Sequence, residues 1–267
     1  MINLLFWNLA KNKIENYVAD IIRENDIDVC VFAEYSGCQI NSILSKLYGQ
    51  YQFFDGMGGC NKIIVIAKSS YNIAVRREHN RYIIYSIKHE NEQYILAGIH
   101  LPDNLHSKSD DRKAVIRDLT CDIKEQEKLL NHDNTIVIGD FNASPFDSEL
   151  VQKDAFNAVL FKDLIMKTEY VTYNGRKYRR FYNPMLDNIA EDNSNYGSFY
   201  YSSGIETLYW YCYDQVLMRK VLIDHFISAK YCKSIKGKNL LKQLSPNREI
   251  SDHLPLIVKF ERRIINE

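Results

Sequence analysis

Asn8 follows the apolar run INLLFW, Glu34 follows DVCVFA, and His100 follows YILAGI. Asp140 and Asn142 come after TIVIG, Asp214 opens DQVLM, and Asp252 and His253 stand in SDHLPLIV. Singly, each has an ordinary explanation. Asp and Asn end strands well because they make turns, and Asp140–Phe141–Asn142 alone reads as one. A lone Glu after a strand is commonly just solvated, and His100 before Leu101–Pro102 reads as a half-buried ring. What asks for a common cause is the recurrence of such groups at the mouth of one apolar run after another.

Together the set offers four carboxylates, two amides and two imidazoles, which is what cleavage of a phosphodiester requires. The anionic oxygens must be neutralised, a water activated and the leaving alkoxide protonated. A hard oxygen ligand such as Glu34 suits Mg²⁺, which binds through one or two carboxylates and keeps several waters. Such a metal polarises a phosphoryl group and lowers the pKa of bound water. Histidine beside carboxylate gives an oriented acid or base near working pH. The amides of Asn8 and Asn142 donate to phosphate oxygens without adding charge.

The elements that must carry these groups can be read from periodicity. Ile2–Trp7 reads as a buried strand, and Ile14, Tyr17, Val18, Ile21 and Ile22 recur at helical spacing over about residues 13–24. Asp28–Ala33 is a second buried strand, followed by a helix over residues 40–48. Strands at 63–67, 73–77, 82–88 and 94–99, broken by polar residues, suit antiparallel hairpins. A helix is expected over about 107–131, then strands at 135–138, 213–218 and 256–260. Residues 170–213 hold ten of the chain's 19 tyrosines and show poor periodicity. The expectation is therefore a single domain over 1–267 with an elaborated tyrosine-rich loop region at about 170–212. Hairpins mixed with helices favour two packed, mostly antiparallel or mixed sheets over a doubly wound parallel sheet.

Composition narrows the field. A chain of 267 residues with 46% hydrophobic side chains can bury a sizeable core without disulfides or a structural metal. Lys plus Arg equals Asp plus Glu at 34 each, which argues against a protein that coats nucleic acid nonspecifically. The six cysteines are scattered with no CxxC pair, as in a reducing compartment. The start of the chain lacks the charged region and cleavage site of a signal peptide, and no apolar run approaches membrane-spanning length. A cytoplasmic location, with no membrane and no protein partner, is the expectation.

The order Asn8, Glu34, His100, GDFNASP at 139–145, YDQVLM at 213–218 and SDHLPLIV at 251–258 resembles the endonuclease/exonuclease/phosphatase superfamily, whose fold is that of pancreatic-type deoxyribonuclease. The resemblance implies a four-layer α/β/β/α sandwich and a Mg²⁺- or Mn²⁺-dependent phosphodiesterase that uses in-line attack by water. It implies Glu34 as principal metal ligand, completed by Asn8 and Asp252. Asp140 and Asn142 would position the water and bind the scissile phosphate. His253 would be general base or phosphate-stabilising cation, with Asp214 orienting its ring, and His100 would be general acid.

The branch is approached by exclusion. VIGDFNAS and WYCYDQ differ from the inositol polyphosphate phosphatase pattern, and His100 differs from the tyrosine of abasic-site endonucleases. The basic and aromatic run Arg176–Tyr182 could hold a phosphate backbone while aromatic faces stack on bases. Arg179, Arg180 and Tyr182 are accordingly expected to touch substrate. A nuclease acting on DNA or RNA is the leading expectation. A phosphoesterase for a small phosphate ester or phospholipid head group is the alternative, and a catalytically silent binding module of the same fold is a third.

Overall fold

A computed structural model describes residues 2–103, 108–186, 197–205 and 207–261. β1 (Ile2–Asn8) is buried along its whole length and lies parallel to β2 (Val29–Ala33), pairing Asn8 with Ala33. Its other edge takes the closing strand Leu256–Phe260 antiparallel. A six-stranded sheet results, ordered Phe226–Tyr231, Leu256–Phe260, β1, β2, β4 (Ile63–Lys68) and β3 (Tyr51–Phe54). Strands buried on both faces read as continuous apolar runs, as INLLFW and VCVFA do.

The second sheet has seven strands. β5 (Asn72–His79), β6 (Tyr82–His89) and β7 (Glu92–His100) form a meander. β8 (Thr135–Asp140) joins β7 in parallel, and Asp214–Met218, Phe181–Tyr182 and Ala158–Val159 complete the order. The crossover from β7 to β8 is made by α3 (Ser109–Leu130), as a parallel connection needs. Ile116, Leu119 and Ile123 of α3 pack on the outer face of this sheet, against Ile84, Ile95, Ala97 and Val137.

The inner residues of both sheets, including Val31, Ile63, Leu96, Ile136, Ile138 and Val258, form the main core. Val18, Ala19, Ile21 and Ile22 of α1 (Glu15–Glu24) and Ile43 of α2 (Ile40–Lys46) join it, and the architecture is a four-layer α/β/β/α sandwich. The expected strands are present, some extended by one to three residues. β3 and the strand Phe226–Tyr231 were not expected. The tyrosine-rich stretch is more regular than its periodicity suggests, because it forms two short hairpins, Tyr170–Tyr173 with Arg176–Arg179 and Phe199–Tyr201 with Tyr209–Tyr211. Residues 187–196 and 206 of that stretch lie outside the described residues, as do 104–107 at the expected start of α3. No helix among the described residues is long and apolar enough to cross a membrane.

Candidate active site

Strand register brings three of the expected groups into one row. His100 lies opposite Asp140 in the parallel pair, and Asp214 lies opposite Asp140 in the antiparallel pair. Neighbours in register share a sheet face, so the three side chains project from adjacent strands at one end of the sandwich. Asn8 and Glu34 arrive from the facing sheet, at the ends of β1 and β2. Glu34 stands in the left-handed region at φ 47°, an uncommon conformation for a residue with a side chain.

The loop before the closing strand supplies His253. The Trp7 indole N–H donates to the His253 carbonyl at 2.9 Å. The Ser251 hydroxyl donates to the Asn8 carbonyl at 2.7 Å and accepts from the His253 backbone N–H at 3.0 Å. The Phe199 ring packs on the His253 ring at 4.9 Å between centroids. Neither Trp7 nor Ser251 was given a role from sequence, although both lie within quoted motifs.

His253 Nδ1 is 2.8 Å from Asp214 Oδ2. Its Nε2 is 4.0 Å from Asp140 Oδ2, which in turn is 3.8 Å from His100 Nε2. His100 Nε2 is 3.7 Å from Glu34 Oε1, and Glu34 Oε2 is 3.6 Å from the Lys11 ammonium. Acidic and basic groups thus alternate from Asp214 through His253, Asp140, His100 and Glu34 to Lys11. Apart from the Asp214–His253 hydrogen bond these separations are too long for direct hydrogen bonds. Asp140 is fixed by other donors, the Asn8 amide at 3.1 Å on Oδ2 and the Asn142 backbone N–H at 2.9 Å on Oδ1. The Asn142 amide itself donates to the Leu101 carbonyl at 2.9 Å, so this side chain braces the loop.

Burial sets the charge states. The Asp214 side chain is wholly buried, which pushes its carboxyl up to about 6 against the opposing pull of His253. Burial also works against a charged His253, but the Asp214 carboxylate outweighs it through charge and hydrogen bond, helped by Asp140, and the ring rises to about 10. Near neutrality this pair is imidazolium and carboxylate. For His100 burial prevails over the attraction of Asp140 and Glu34, and its pKa falls below the usual histidine value. The Asp214 backbone N–H donates to Ser198 Oγ at 3.1 Å, and the Tyr231 hydroxyl donates to the Asp214 carbonyl at 2.6 Å.

Two arrangements could hold a cation. Ligand atoms of Asp140, Asp214 and His253 lie within 4.8 Å of one another. That trio is a poor receptor near neutrality, because His253 is protonated and its Nδ1 is already bonded to Asp214. Glu34 fits a hard cation better. Among the described residues its carboxylate accepts no hydrogen bond, and it faces a 230 Å³ cavity lined also by Lys11, Tyr35, Ser36, Asn61, Lys62 and His100. Asn8 stands beside Asp140, with its Oδ1 accepting from the Ala10 backbone N–H at 3.0 Å. Asp252 lines a separate 340 Å³ hollow with Tyr200, Tyr201, Ser245 and Arg248. No contact among the described residues joins it to Glu34. Larger hollows of 630 and 650 Å³ open elsewhere on the surface, away from these groups.

The structure does not bring Arg179, Arg180 and Tyr182, the expected substrate contacts, to this row. Tyr182 pairs with Met218, four residues along the strand from Asp214, and is 2% exposed within the core. At ~3.3 Å per residue that is about 13 Å from the row of His100, Asp140 and Asp214. Arg179 is neutralised by Glu127 at 3.2 Å, by Glu169 and by Asp133. Arg180 caps the Thr168 and Tyr170 carbonyls. These side chains hold the opposite end of the sandwich together. Arg76 and Arg77, on β5, bond Gln126 and Asp122 of α3.

No family model matches the chain, and no curated protein matches its sequence. Solved structures do. A D. rerio TDP2 structure, complexed with single strand DNA product, superposes with a TM-score of 0.60 at 12% identity, covering 98% of this chain and 99% of that one. The human Nocturnin catalytic domain with bound sulfate anion gives 0.59 at 16%, covering 97% and 93%. An endonuclease/exonuclease/phosphatase family protein from Bacteroides thetaiotaomicron gives 0.59 at 12%, covering 96% of each chain. The chain has the deoxyribonuclease-I-like fold of endonuclease/exonuclease/phosphatase proteins.

Proposed function

We propose that the protein is a divalent-metal-dependent phosphodiesterase, and that its substrate is a nucleic acid, DNA or RNA. The observation that carries this reading is the chain of alternating acidic and basic side chains from Asp214 to Lys11, assembled from the ends of strands in both sheets. A site that presents a buried imidazolium, an oriented carboxylate and a hydrogen-bond-free glutamate in one line suits an anionic ester and a water nucleophile.

Within it, Asp214 holds His253 cationic, so that Nε2–H donates to phosphoryl oxygens and stabilises charge developing there. Asp140, with both oxygens oriented by Asn8 and Asn142, accepts the proton of the attacking water. His100 was expected from sequence as general acid. Its lowered pKa favours a neutral ring near pH 7, suited to accepting a hydrogen bond or proton between Asp140 and Glu34. Glu34 would hold Mg²⁺ or Mn²⁺; Asn8 is bonded to Asp140 and Asp252 lines a separate hollow, so among the described residues neither joins Glu34 directly. When bound, such an ion supplies charge neutralisation and a more acidic water.

Direct support for the metal would come from Mg²⁺ or Mn²⁺ titration by calorimetry. Wild type should bind an ion that Glu34→Gln does not, and ester turnover should follow that occupancy. Turnover that persists in EDTA would remove metal from the account. A small phosphate ester remains the second reading for substrate, favoured by the zero net charge and the small size of the cavity beside Glu34.

A further inference from the structure

The turn that follows Asn8 is strained and tightly tied. Ala10 and Lys11 both have positive φ, 48° and 58°, conformations that cost residues with a Cβ about 1 kcal/mol or more each. Such a turn persists only where its surroundings enforce it. Here the Ala10 N–H donates to Asn8 Oδ1 and the Lys11 N–H to the Glu34 carbonyl at 2.8 Å. The Asn12 amide donates to the carbonyls of Arg248 and Ile250, each at 3.1 Å. Cys38 Sγ donates to the Asn12 carbonyl, and a Cβ added at Gly37 would overlap the carbonyl oxygen of Lys11. Two other segments, residues 34–38 and 248–250, thus help to fix a backbone that a relaxed loop would not adopt.

The product of this effort is the position of one side chain. Lys11 extends over Glu34 and lines the 230 Å³ cavity whose other cation is Lys62, next to Asn61. The Lys11 side chain is 68% exposed, so its 3.6 Å approach to Glu34 contributes little stability. The ion pair therefore does not account for a strained turn held in this one position, and strain of that kind points to function.

We propose that Lys11 and Lys62 form a two-lysine clamp for a second phosphate of the substrate, on the Glu34 side of the scissile one. This deepens the phosphodiesterase reading and rests on it. The clamp makes the preferred substrate one in which the scissile phosphodiester has a phosphate neighbour, as in a polynucleotide and not in an isolated ester. Asn61 can donate to the same phosphate. Lysine serves here as a point charge on a flexible stem, which suits a backbone phosphate in varied sequence contexts.

A matched pair of substrates tests this, a dinucleotide with one internal phosphate and the trinucleotide with two. For wild type, kcat/KM on the trinucleotide should exceed that on the dinucleotide by about tenfold or more, chiefly through KM, since a charge-assisted contact to phosphate is worth roughly that factor. In Lys11→Met and in Lys62→Met that preference should collapse toward unity, with Lys11→Arg restoring part of it. The salt dependence of trinucleotide binding should weaken by about one unit of slope per lysine removed. An unchanged preference, or equal losses on both substrates, would overturn the clamp. If wild type hydrolyses neither substrate nor any polynucleotide, the phosphodiesterase reading fails. The clamp is then judged by calorimetric binding of the trinucleotide alone, and equal affinity in wild type and Lys11→Met would reject it.

Discussion

His253 Nδ1 and Asp214 Oδ2 lie 2.8 Å apart with both side chains buried, so each decides the charge of the other. Burial alone would keep the imidazole neutral; the carboxylate reverses that and raises its pKa to about 10. In an NMR titration of the metal-free protein, the His253 ring should stay protonated through pH 8. His100 should remain neutral down to below 6.5, because burial lowers its pKa. In Asp214→Asn the burial effect is left unopposed, and the His253 titration should move down by several units.

The same shift is linked to stability. Between pH 6.5 and about 10 the unfolded chain has released the His253 proton and the folded chain still holds it, so the contribution of the pair falls as pH rises. Comparing wild type with His253→Gln by urea unfolding, the stability gap should be largest near pH 6.5. It should shrink through the window and be nearly closed above pH 10. A gap that widens with pH would contradict the imidazolium assignment.

Gly139 precedes Asp140 on β8, where a Cβ would overlap the carbonyl oxygen of Ile99 on the neighbouring strand. Gly139→Ala must separate β7 from β8 at the point where His100 faces Asp140. A destabilisation of about 2–4 kcal/mol is expected, in the range of overpacked core positions, together with loss of most turnover. Unfolding midpoints and activity measured on the same preparation check both.

Much of the candidate site's geometry was legible because its members stand at one terminus of apolar strands, and such strands are easy to find in sequence. Asn8, Glu34, His100, Asp140 and Asp214 are all of this kind. The two packed mixed sheets were legible for the same reason. The role of the Arg176–Tyr182 run was not, because the partners that neutralise Arg179 include Glu127 and Asp133, 52 and 46 residues away. A run of bases shows its charge but not its counter-ions. The two hairpins of the tyrosine-rich stretch have strands of three or four residues, too short for a period of two to register. The left-handed turn at Ala10 and Lys11 also escapes reading, since neither residue type signals positive φ.

Arg219 tests the corrected reading of the far end. It is 1% exposed, bonds Glu127 Oε1 at 2.7 Å and lies 3.7 Å over the Phe181 ring. Arg219→Met removes the donor on Glu127 Oε1 and leaves Arg179 as the remaining arginine on that carboxylate, and should cost about 1–3 kcal/mol. Arg179→Met, on the same carboxylate network, should lower stability while leaving KM for any oligonucleotide substrate within about twofold, the spread expected of a residue with no substrate contact. A large rise in KM for Arg179→Met would return that arginine to the substrate.

Incubation of labelled single- and double-stranded DNA and RNA with wild type and Asp140→Asn, in Mg²⁺, Mn²⁺ or EDTA, tests the central claim most directly. Metal-dependent cleavage of at least one polymer by wild type is expected, falling by about 100-fold or more in the variant, as befits loss of an oriented proton acceptor. Folded wild-type protein that cleaves no polymer with either metal would contradict the nuclease reading, and equal cleavage by Asp140→Asn would contradict the site.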